Sequence, residues 1–229
     1  MTCRPPPEGK SLDPLTLTWP AGRVIHRIHD SHYAPQTFHP GVAARGSACK
    51  PTRFAPICNV HGAAIPYLYG GSTLDCAIFE TVFHDVPFDQ PDKFVDLQPF
   101  ARHAHGELLA ARDLKLVDLT SEGLHRLRIP KAELIESMAR DYPVTALWAQ
   151  ALHQGFPDID GLLWMSRQRD RDHALLLFGD RASRAVTGKR AGPPLVYNQA
   201  LLDRILEAAE RAGIDVALEM GSPSDTVKE

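Results

Sequence analysis

The sequence lacks the segments that would assign it at once to a secreted, membrane or nucleic-acid-binding class. Its four cysteines, Cys3, Cys49, Cys58 and Cys76, form no C-x-x-C pair, and no run of 18 apolar residues offers a transmembrane helix. No apolar stretch follows the opening Met-Thr-Cys-Arg-Pro-Pro-Pro, so we expect no signal peptide and a cytoplasmic protein with reduced thiols. Net charge is −3, which excludes the basic excess typical of direct nucleic-acid binders.

The common catalytic signatures are missing as well. The chain has no G-x-x-x-x-G-K-[ST], no G-x-G-x-x-G and no H-E-x-x-H, and the residues around Ser166 do not match G-x-S-x-G. Of its 11 histidines, the closest pair is His103-x-His105, which has no partner at a spacing diagnostic of a metal site. We therefore predict no bound metal and no membrane partner.

What the chain does have is enough apolar sequence for one domain. Its 229 residues are 44% hydrophobic, an ordinary value for a globular protein with a sizeable core. Residues 1–15 are rich in proline and polar groups, and residues 221–229 are similar, so we predict a mobile arm and a mobile tail. Residues 16–220 then form a single domain, with helices around 130–155.

Hydrophobic periodicity predicts strands interspersed with helices, an α+β domain with a mixed β core and flanking helices. A capping-box pattern places Ser72 as the N-cap of the first helix, with Asp75 three residues later, and apolar spacing continues to Phe83. The predicted strands are 24–28, 53–57, 65–69, 107–111, 114–118, 161–165, 173–178 and 215–220. The predicted helices are 72–83, 131–141, 143–154 and 198–212.

Glu80 is the first candidate site residue, because it lies within the apolar part of the first helix. A carboxylate among so many apolar side chains must be paired or must line a cavity. The alternative is a partly exposed glutamate of no special role. Just before the helix, Tyr67 and Tyr69 should point the same way on a strand, where an aromatic ring could stack on a planar ligand or simply pack.

Glycines, arginines and a serine supply weaker signals. Gly70 and Gly71 could expose amides to a phosphate, although a tight turn explains them as well. Arg27 interrupts an apolar strand and Arg53 lies in a loop, and each could hold a phosphate or form a surface salt bridge. Ser166 follows a strand, where it could donate a hydrogen bond or only form a turn.

Taken in order, these segments resemble the RES domain, which is named for its arginine, glutamate and serine. The most specific part runs from Tyr67 to Thr81, with Leu68-Tyr69-Gly70-Gly71-Ser72-Thr73-Leu74-Asp75-Cys76-Ala77-Ile78-Phe79-Glu80 inside it. The other matching segments are 24–28, 53–54, 160–167 and 174–179, and the resemblance covers roughly residues 20 to 180.

The resemblance implies a toxin of a toxin–antitoxin pair whose fold is similar to that of ADP-ribosyltransferases. Such toxins degrade NAD⁺, and some transfer ADP-ribose to a protein. The implied partner is an Xre-type or ParS-like antitoxin, a DNA-binding protein, whereas the toxin itself binds no nucleic acid directly. Compared with short family members, this chain has a longer N-terminal arm and a helical insertion around 130–155.

The resemblance also implies roles for the candidate residues, with NAD⁺ as substrate and no metal. Arg27 and Arg53 would hold the pyrophosphate, and Tyr69, rather than Tyr67, would stack on nicotinamide. Glu80 would stabilise the sugar cation, while Ser166 would orient the ribose or Glu80. Two alternatives stay open: a metal-dependent nucleotide hydrolase that uses the Gly70–Gly71 segment, and a non-catalytic interaction module.

Overall fold

A computed structural model describes residues 2–8, 12–42, 50–87 and 89–217. These residues form ten strands: β1 Thr16–Trp19, β2 Val24–Asp30, β3 Tyr67–Gly71, β4 Lys93–Asp96, β5 His103–Ala110, β6 Leu114–Asp118, β7 Gly161–Met165, β8 His173–Phe178, β9 Val186–Pro194 and β10 Ile214–Ala217. The α-helices are α1 Leu74–Phe79, α2 Ser121–Leu127, α3 Lys131–Leu134, α4 Tyr142–Gly155, α5 Gly179–Ala182 and α6 Gln199–Ala212. The predicted α+β domain is confirmed.

Eight strands form one sheet in the order β1-β6-β7-β8-β3-β2-β5-β9, and β10 pairs with β4 in a separate parallel ribbon. Within the large sheet β6 and β7 are parallel, and the other pairs are antiparallel. Parallel neighbours need a long crossover. The helices predicted around 130–155 form part of that crossover, together with α2.

The apolar runs of β7 and β8 lie at the centre of the sheet and are buried on both faces. On one face α2 and α4 cover them, in a cluster that includes Trp148, Trp164 and Phe178. Leu163, Leu175 and Leu177 pack into a second cluster with β1 and β6. Strands without alternation are expected where both faces are covered, and that pattern made these two predictable.

A third apolar cluster holds α1 and α6 against β2 and the small ribbon. It joins Ile28 of β2, Ile78 of α1, Ile205 of α6 and Ile214 of β10. The predicted helix 198–212 is confirmed as α6, which Asn198 caps by accepting a hydrogen bond from the amide of Leu201. Its apolar stripe faces this cluster, as helical spacing predicts.

Several predicted boundaries are wrong. The helix expected over 72–83 ends as α1 at Phe79, and the helix expected over 131–141 is only the single turn α3 followed by a 3-10 turn at Ala139–Asp141. The strand expected over 53–57 is a loop with isolated bridges. Residues 218–220 of the last predicted strand, and the predicted tail 221–229, lie outside the described residues.

Two residues of the segment predicted as a mobile arm contact the helical crossover. Cys3 is buried, and the Trp148 indole donates a hydrogen bond to the Arg4 carbonyl at 2.8 Å. The Arg4 guanidinium in turn donates to the carbonyl of Arg128 at 2.6 Å. Cys3 and Arg4 are therefore held against the rest of the protein. The longest helices, α4 and α6, have 14 residues each, and no helix within the described residues has the length and apolar character to cross a membrane.

Candidate active site

A short hydrogen bond joins Glu80 and Ser166, two candidate residues that are 86 positions apart in the sequence. The hydroxyl of Ser166 donates to Oε1 of Glu80 at 2.6 Å. Glu80 is the C-cap residue that directly follows α1. Ser166 is the first residue after β7 and is fully buried. A hydroxyl-to-carboxylate bond of this length fixes the orientation of the carboxylate. Glu80 is thus paired, and it is also partly exposed, which was the alternative considered for this residue.

The start of α1 differs from the prediction. Thr73, not Ser72, is the N-cap, because its hydroxyl accepts a hydrogen bond from the amide of Cys76 at 3.0 Å. The Ser72 hydroxyl instead accepts from the amide of His173 at 3.0 Å, which ties the segment to β8. The capping-box pattern located the helix start to within one residue but named the wrong cap.

Gly70 and Gly71 lie inside β3 and do not form the turn that the sequence favoured. A Cβ on Gly71 would lie 2.9 Å from both Cβ and Sγ of Cys76, so glycine here lets α1 pack directly on the strand. Burial raises the pKa of the Cys76 thiol, and neighbouring Glu80 raises it further. The glycine pair therefore brings the helix that carries Glu80 close to the sheet, and the amides of Gly70 and Gly71 belong to sheet strands.

The loop after Ser166 is fastened to the first turn of α1. The Ser166 amide donates to the carbonyl of Asp172 at 3.0 Å, and the Thr73 hydroxyl donates to the carboxylate of Asp172 at 2.9 Å. Arg169 bonds Asp172 and also pairs with Asp75 at 3.1 Å. The element that carries Ser166 and the element that carries Glu80 are thus joined by contacts other than the one between Glu80 and Ser166.

Thr73, Arg169 and Asp172 form a clamp between α1 and the loop after Ser166, and its central residue is Asp75. It is 3% exposed, and besides Arg169 it pairs with Arg204 at 2.7 Å and Arg211 at 2.9 Å, both from α6. The sequence suggested Asp75 as a member of a capping box. It is instead a buried carboxylate shared by three guanidinium groups, which compensate the loss of hydration that burial imposes.

Tyr69 lies on the same face of the sheet as Ser166. Trp164 pairs with Ala174, and Ala174 pairs with Gly71, so these three residues share one face of the sheet. Ser166 comes two positions after Trp164 and Tyr69 two positions before Gly71, so both point to that face. The Tyr69 hydroxyl bonds Thr52 at 2.9 Å and accepts from the amide of Phe54 at 3.1 Å. Burial raises the pKa of this phenol to about 12, so it stays protonated at physiological pH.

Tyr67 shares the face of Tyr69, as predicted, but its ring is already covered. It stacks on His39 with 4.8 Å between ring centroids, and its side chain is buried. Tyr69 is only partly buried and meets Trp164 edge to face. Of the two tyrosines, Tyr69 is the less buried residue.

Arg53 is an almost fully buried arginine near Tyr69. Its side chain is 4% exposed, its Nε has no hydrogen-bond partner, and its guanidinium carbon lies 5.8 Å from the centre of the Tyr142 ring. The surface salt bridge considered for this residue is absent from the described residues, where no carboxylate lies within ion-pair distance of it. A desolvated guanidinium with an unused donor is suited to bind an anion.

Arg27 is placed differently from the other candidates. His26 pairs with Gly71, so Arg27 points to the opposite face of the sheet from Ser166 and Tyr69. Its Nη1 donates to the carbonyls of Pro35 at 2.7 Å and Thr37 at 2.8 Å, in the segment between β2 and β3. Burial lowers the pKa of Arg27 to about 10. In this structure Arg27 holds a loop and is not in contact with Glu80 or Ser166.

Tyr142 is a site residue that the sequence did not reveal. It begins α4 and is buried; burial raises the pKa of its phenol, and Arg53 and Arg167 lower it while Glu80 raises it. Its hydroxyl lies 3.4 Å from Nε2 of His84, and the centre of its ring is 5.8 Å from the guanidinium carbon of Arg53. The sequence held no signal for it beyond the start of a helix, because nothing in the spacing connects residue 142 with residue 80.

Comparison with known proteins agrees with this architecture. The family model described as the RES domain matches residues 24–198, which include Glu80, Ser166, Arg27 and Arg53. The crystal structure of the M. tuberculosis MbcT–MbcA toxin–antitoxin complex contains a similar chain, with a TM-score of 0.51 and 12% identity over 81% of this chain and 92% of that one. No curated protein matches by sequence. The structural likeness shows a shared fold, and the family match shows that the chain belongs to the RES domain family.

Proposed function

We propose that this protein is the toxin of a toxin–antitoxin pair and that it cleaves NAD⁺ between nicotinamide and ribose. The observation that carries the proposal is the 2.6 Å hydrogen bond from Ser166 to Glu80. It presents an oriented carboxylate on the side of the sheet where Tyr69 and the buried Arg53 also lie. Membership of the RES domain family and a fold shared with a chain of a toxin–antitoxin complex support the same conclusion.

The chemistry of NAD⁺ explains why a carboxylate is the central group. The bond between ribose C1 and the nicotinamide nitrogen breaks, and its electron pair goes to the nitrogen, so the leaving group becomes neutral without a proton donor. The ribose is left as an oxocarbenium-like cation, as in glycoside cleavage. A fixed negative charge beside C1 stabilises that cation more than it stabilises the bound substrate, and therefore raises turnover.

The other residues of the site would bind and orient the substrate. The Arg53 guanidinium matches the geometry of a pyrophosphate, and its unused Nε is available as a donor. The partly accessible ring of Tyr69 would stack on nicotinamide, with its hydroxyl held by Thr52 and Phe54. Arg27 would act on the pyrophosphate only if the segment that it holds, residues 35–37, moved.

The sugar cation would be captured by water, by phosphate or by a side chain of a target protein. The partner would be a cognate antitoxin of the Xre or ParS-like type, which binds DNA. An antitoxin partner follows from the proposed toxin role, and the structurally similar M. tuberculosis chain was itself solved in a toxin–antitoxin complex. No metal takes part in the bond cleavage that we propose.

The nucleotide hydrolase that uses Gly70 and Gly71 is the less favoured alternative. The amides of these glycines belong to strands of the sheet, and α1 has only six residues, so neither feature forms a phosphate cradle. A non-catalytic module would have no need of a buried serine bonded to a partly exposed glutamate.

The direct test is incubation of the purified protein with NAD⁺ in the presence of a chelator. We expect release of nicotinamide, measured by chromatography, and mass spectrometry of the products in cell extract would identify the acceptor. Expression without the antitoxin should arrest growth as NAD⁺ falls or as a protein gains ADP-ribose. Growth arrest with intact NAD⁺ and no modified protein would contradict the proposal. Turnover only after metal is added would favour the hydrolase.

A further inference from the structure

Two histidines and a glutamate converge on one point of the sheet, and none of the three is among the residues that the proposed function uses. His26 of β2 pairs in register with Glu107 of β5, and His105 lies two residues before Glu107 on the same face. Nδ1 of His26 and Nε2 of His105 are 3.0 Å apart, and one ligand atom from each of the three residues lies within 4.8 Å of the others.

From this geometry we infer that His26, His105 and Glu107 form a binding site for a zinc-type divalent ion. Two imidazoles and one carboxylate are a donor set that zinc accepts, with water in the fourth position. Magnesium and calcium prefer sites made of oxygen alone, so the two nitrogens select against them. The inference does not rest on the proposed cleavage of NAD⁺.

The distances are close to those that zinc requires. Zinc–nitrogen bonds of 2.0–2.1 Å at a tetrahedral angle place two nitrogens about 3.3 Å apart. The rings of His26 and His105 are only 11° from parallel, with 5.2 Å between centroids, and their facing nitrogens share one hydrogen bond. An increase of a few tenths of an ångström between those nitrogens would replace that hydrogen bond by two bonds to the ion.

A neighbouring lysine already contacts the carboxylate of the site. Lys189 pairs with Glu107 at 3.1 Å and would compete with the ion for this ligand.

Such an ion would join β2 to β5 at a structurally sensitive place. His26 is also the residue of β2 that pairs with Gly71 of β3, the one register pair between those strands. Binding to the folded state alone would raise the melting temperature as the ion concentration rises. Sequence spacing did not indicate this site, because 79 residues separate His26 from His105 and the histidine nearest to His105 in sequence is His103.

The test is calorimetric titration of the full chain, without a histidine tag and after chelation, with ZnCl₂ and separately with MgCl₂. We expect one zinc per chain and no comparable binding of magnesium. His26→Asn and His105→Asn should each weaken zinc binding by at least about 10-fold, because loss of even an outer-shell partner typically costs 10- to 100-fold. The exposed His61 supplies the matched control His61→Asn, which should bind as the wild type does.

Two further variants keep the test decisive if a histidine variant fails to fold. Glu107→Gln should weaken zinc binding, whereas Lys189→Ala should strengthen it, because it frees the carboxylate and removes a competing positive charge. General damage to the fold would not strengthen binding. Absence of stoichiometric zinc binding would overturn the inference, as would binding that neither Glu107→Gln nor Lys189→Ala alters.

Discussion

At the scale of single residues, the contact between Ser166 and Glu80 depends on a negative charge and on its orientation. Glu80 accepts the Ser166 hydroxyl at the end of α1, where the side chain is partly exposed. The local structure of α1 does not distinguish a glutamate with a structural role from one with a catalytic role. They differ in what their replacement does to turnover and to stability, and this difference can be measured.

Glu80→Gln should reduce turnover of NAD⁺ by on the order of 100- to 1000-fold, or about 3–4 kcal/mol, because one preorganised electrostatic group is lost. Affinity for NAD⁺ should change much less, since the ground-state ribose carries no cation. The amide still accepts the Ser166 hydroxyl, so the melting temperature should stay near the wild-type value.

The matched control is Glu122→Gln, which changes an exposed glutamate on α2 in the same way. It should leave both turnover and stability unchanged. A stable Glu80→Gln protein with near-normal turnover would remove the centre of the proposed mechanism, and a large fall in melting temperature with normal turnover would indicate a structural role.

The two arginines should respond differently to substitution by lysine. Arg53→Lys should weaken NAD⁺ binding, because lysine lacks the planar fork that fits a pyrophosphate. Arg27→Lys should instead lower the melting temperature, because Arg27 donates to the carbonyls of Pro35 and Thr37 on the other face of the sheet. Binding measured by calorimetry and stability measured by thermal unfolding separate the two effects. Wild-type affinity in Arg53→Lys would argue against its proposed role.

At the scale of elements, the clamp around Asp75 joins α1, α6 and the loop between β7 and β8. Its contacts are built from helix-cap and ion-pair chemistry, and they hold Glu80 and Ser166 at hydrogen-bond distance. Because the Glu80–Ser166 bond spans two elements, we expect its geometry to depend on the clamp as well as on the two residues themselves.

Asp75→Asn should destabilise the fold by on the order of 3 kcal/mol, because it leaves three guanidinium groups beside a neutral amide. The estimate is at the low end for buried pairs, since the arginines are partly exposed and screened by solvent. Thr73→Ala, which removes the N-cap and the bond to Asp172, should cost about 1 kcal/mol.

Both variants should also lower turnover in the fraction that remains folded, and chemical denaturation with activity measured below the transition would check this. A variant with wild-type turnover per folded molecule would show that the clamp supports stability without orienting Glu80. Glu207→Gln is a suitable comparison, since Glu207 also pairs with Arg204 but is exposed.

At the scale of the whole molecule, histidine burial predicts sensitivity to acid. Seven of the 11 histidines have pKa values lowered chiefly by burial, and that of His105 falls to about 4. A lowered pKa means that the unfolded chain takes up the proton first. Stability is therefore complete above pH 6.5 and decreases as the pH falls from about 6.5 towards 4.

The melting temperature, measured with a chelator present, should fall steadily between pH 7 and pH 5, before most carboxylates titrate. His105→Gln should show a shallower fall than the wild type, because it removes a histidine whose pKa is lowered from its ordinary value to about 4. His125→Gln, at an exposed position of α2, should follow the wild-type curve. A melting temperature independent of pH in this range would contradict the argument.

Local sequence predicted the elements whose pattern of burial stays the same from one end to the other. The uninterrupted apolar runs of β7 and β8 and the amphipathic stripe of α6 each reflect one environment along their whole length. The edge strand β9 was missed, since it contains two glycines and two prolines and is largely exposed. Edge strands tolerate proline and need no apolar alternation, so nothing in their composition distinguishes them from loops.

The sequence by itself determined the α+β class and the central strands, and it indicated Glu80 and Ser166 as candidates, because hydrophobic period and residue type are local properties. Only the tertiary structure decided which residues meet. It placed Ser166 against Glu80 and Arg27 on the other face of the sheet. It also brought Tyr142 beside Arg53 and His26 beside His105. Strand register and the β6–β7 crossover set these distances, and both arise from the burial of many side chains at once, which no short segment encodes.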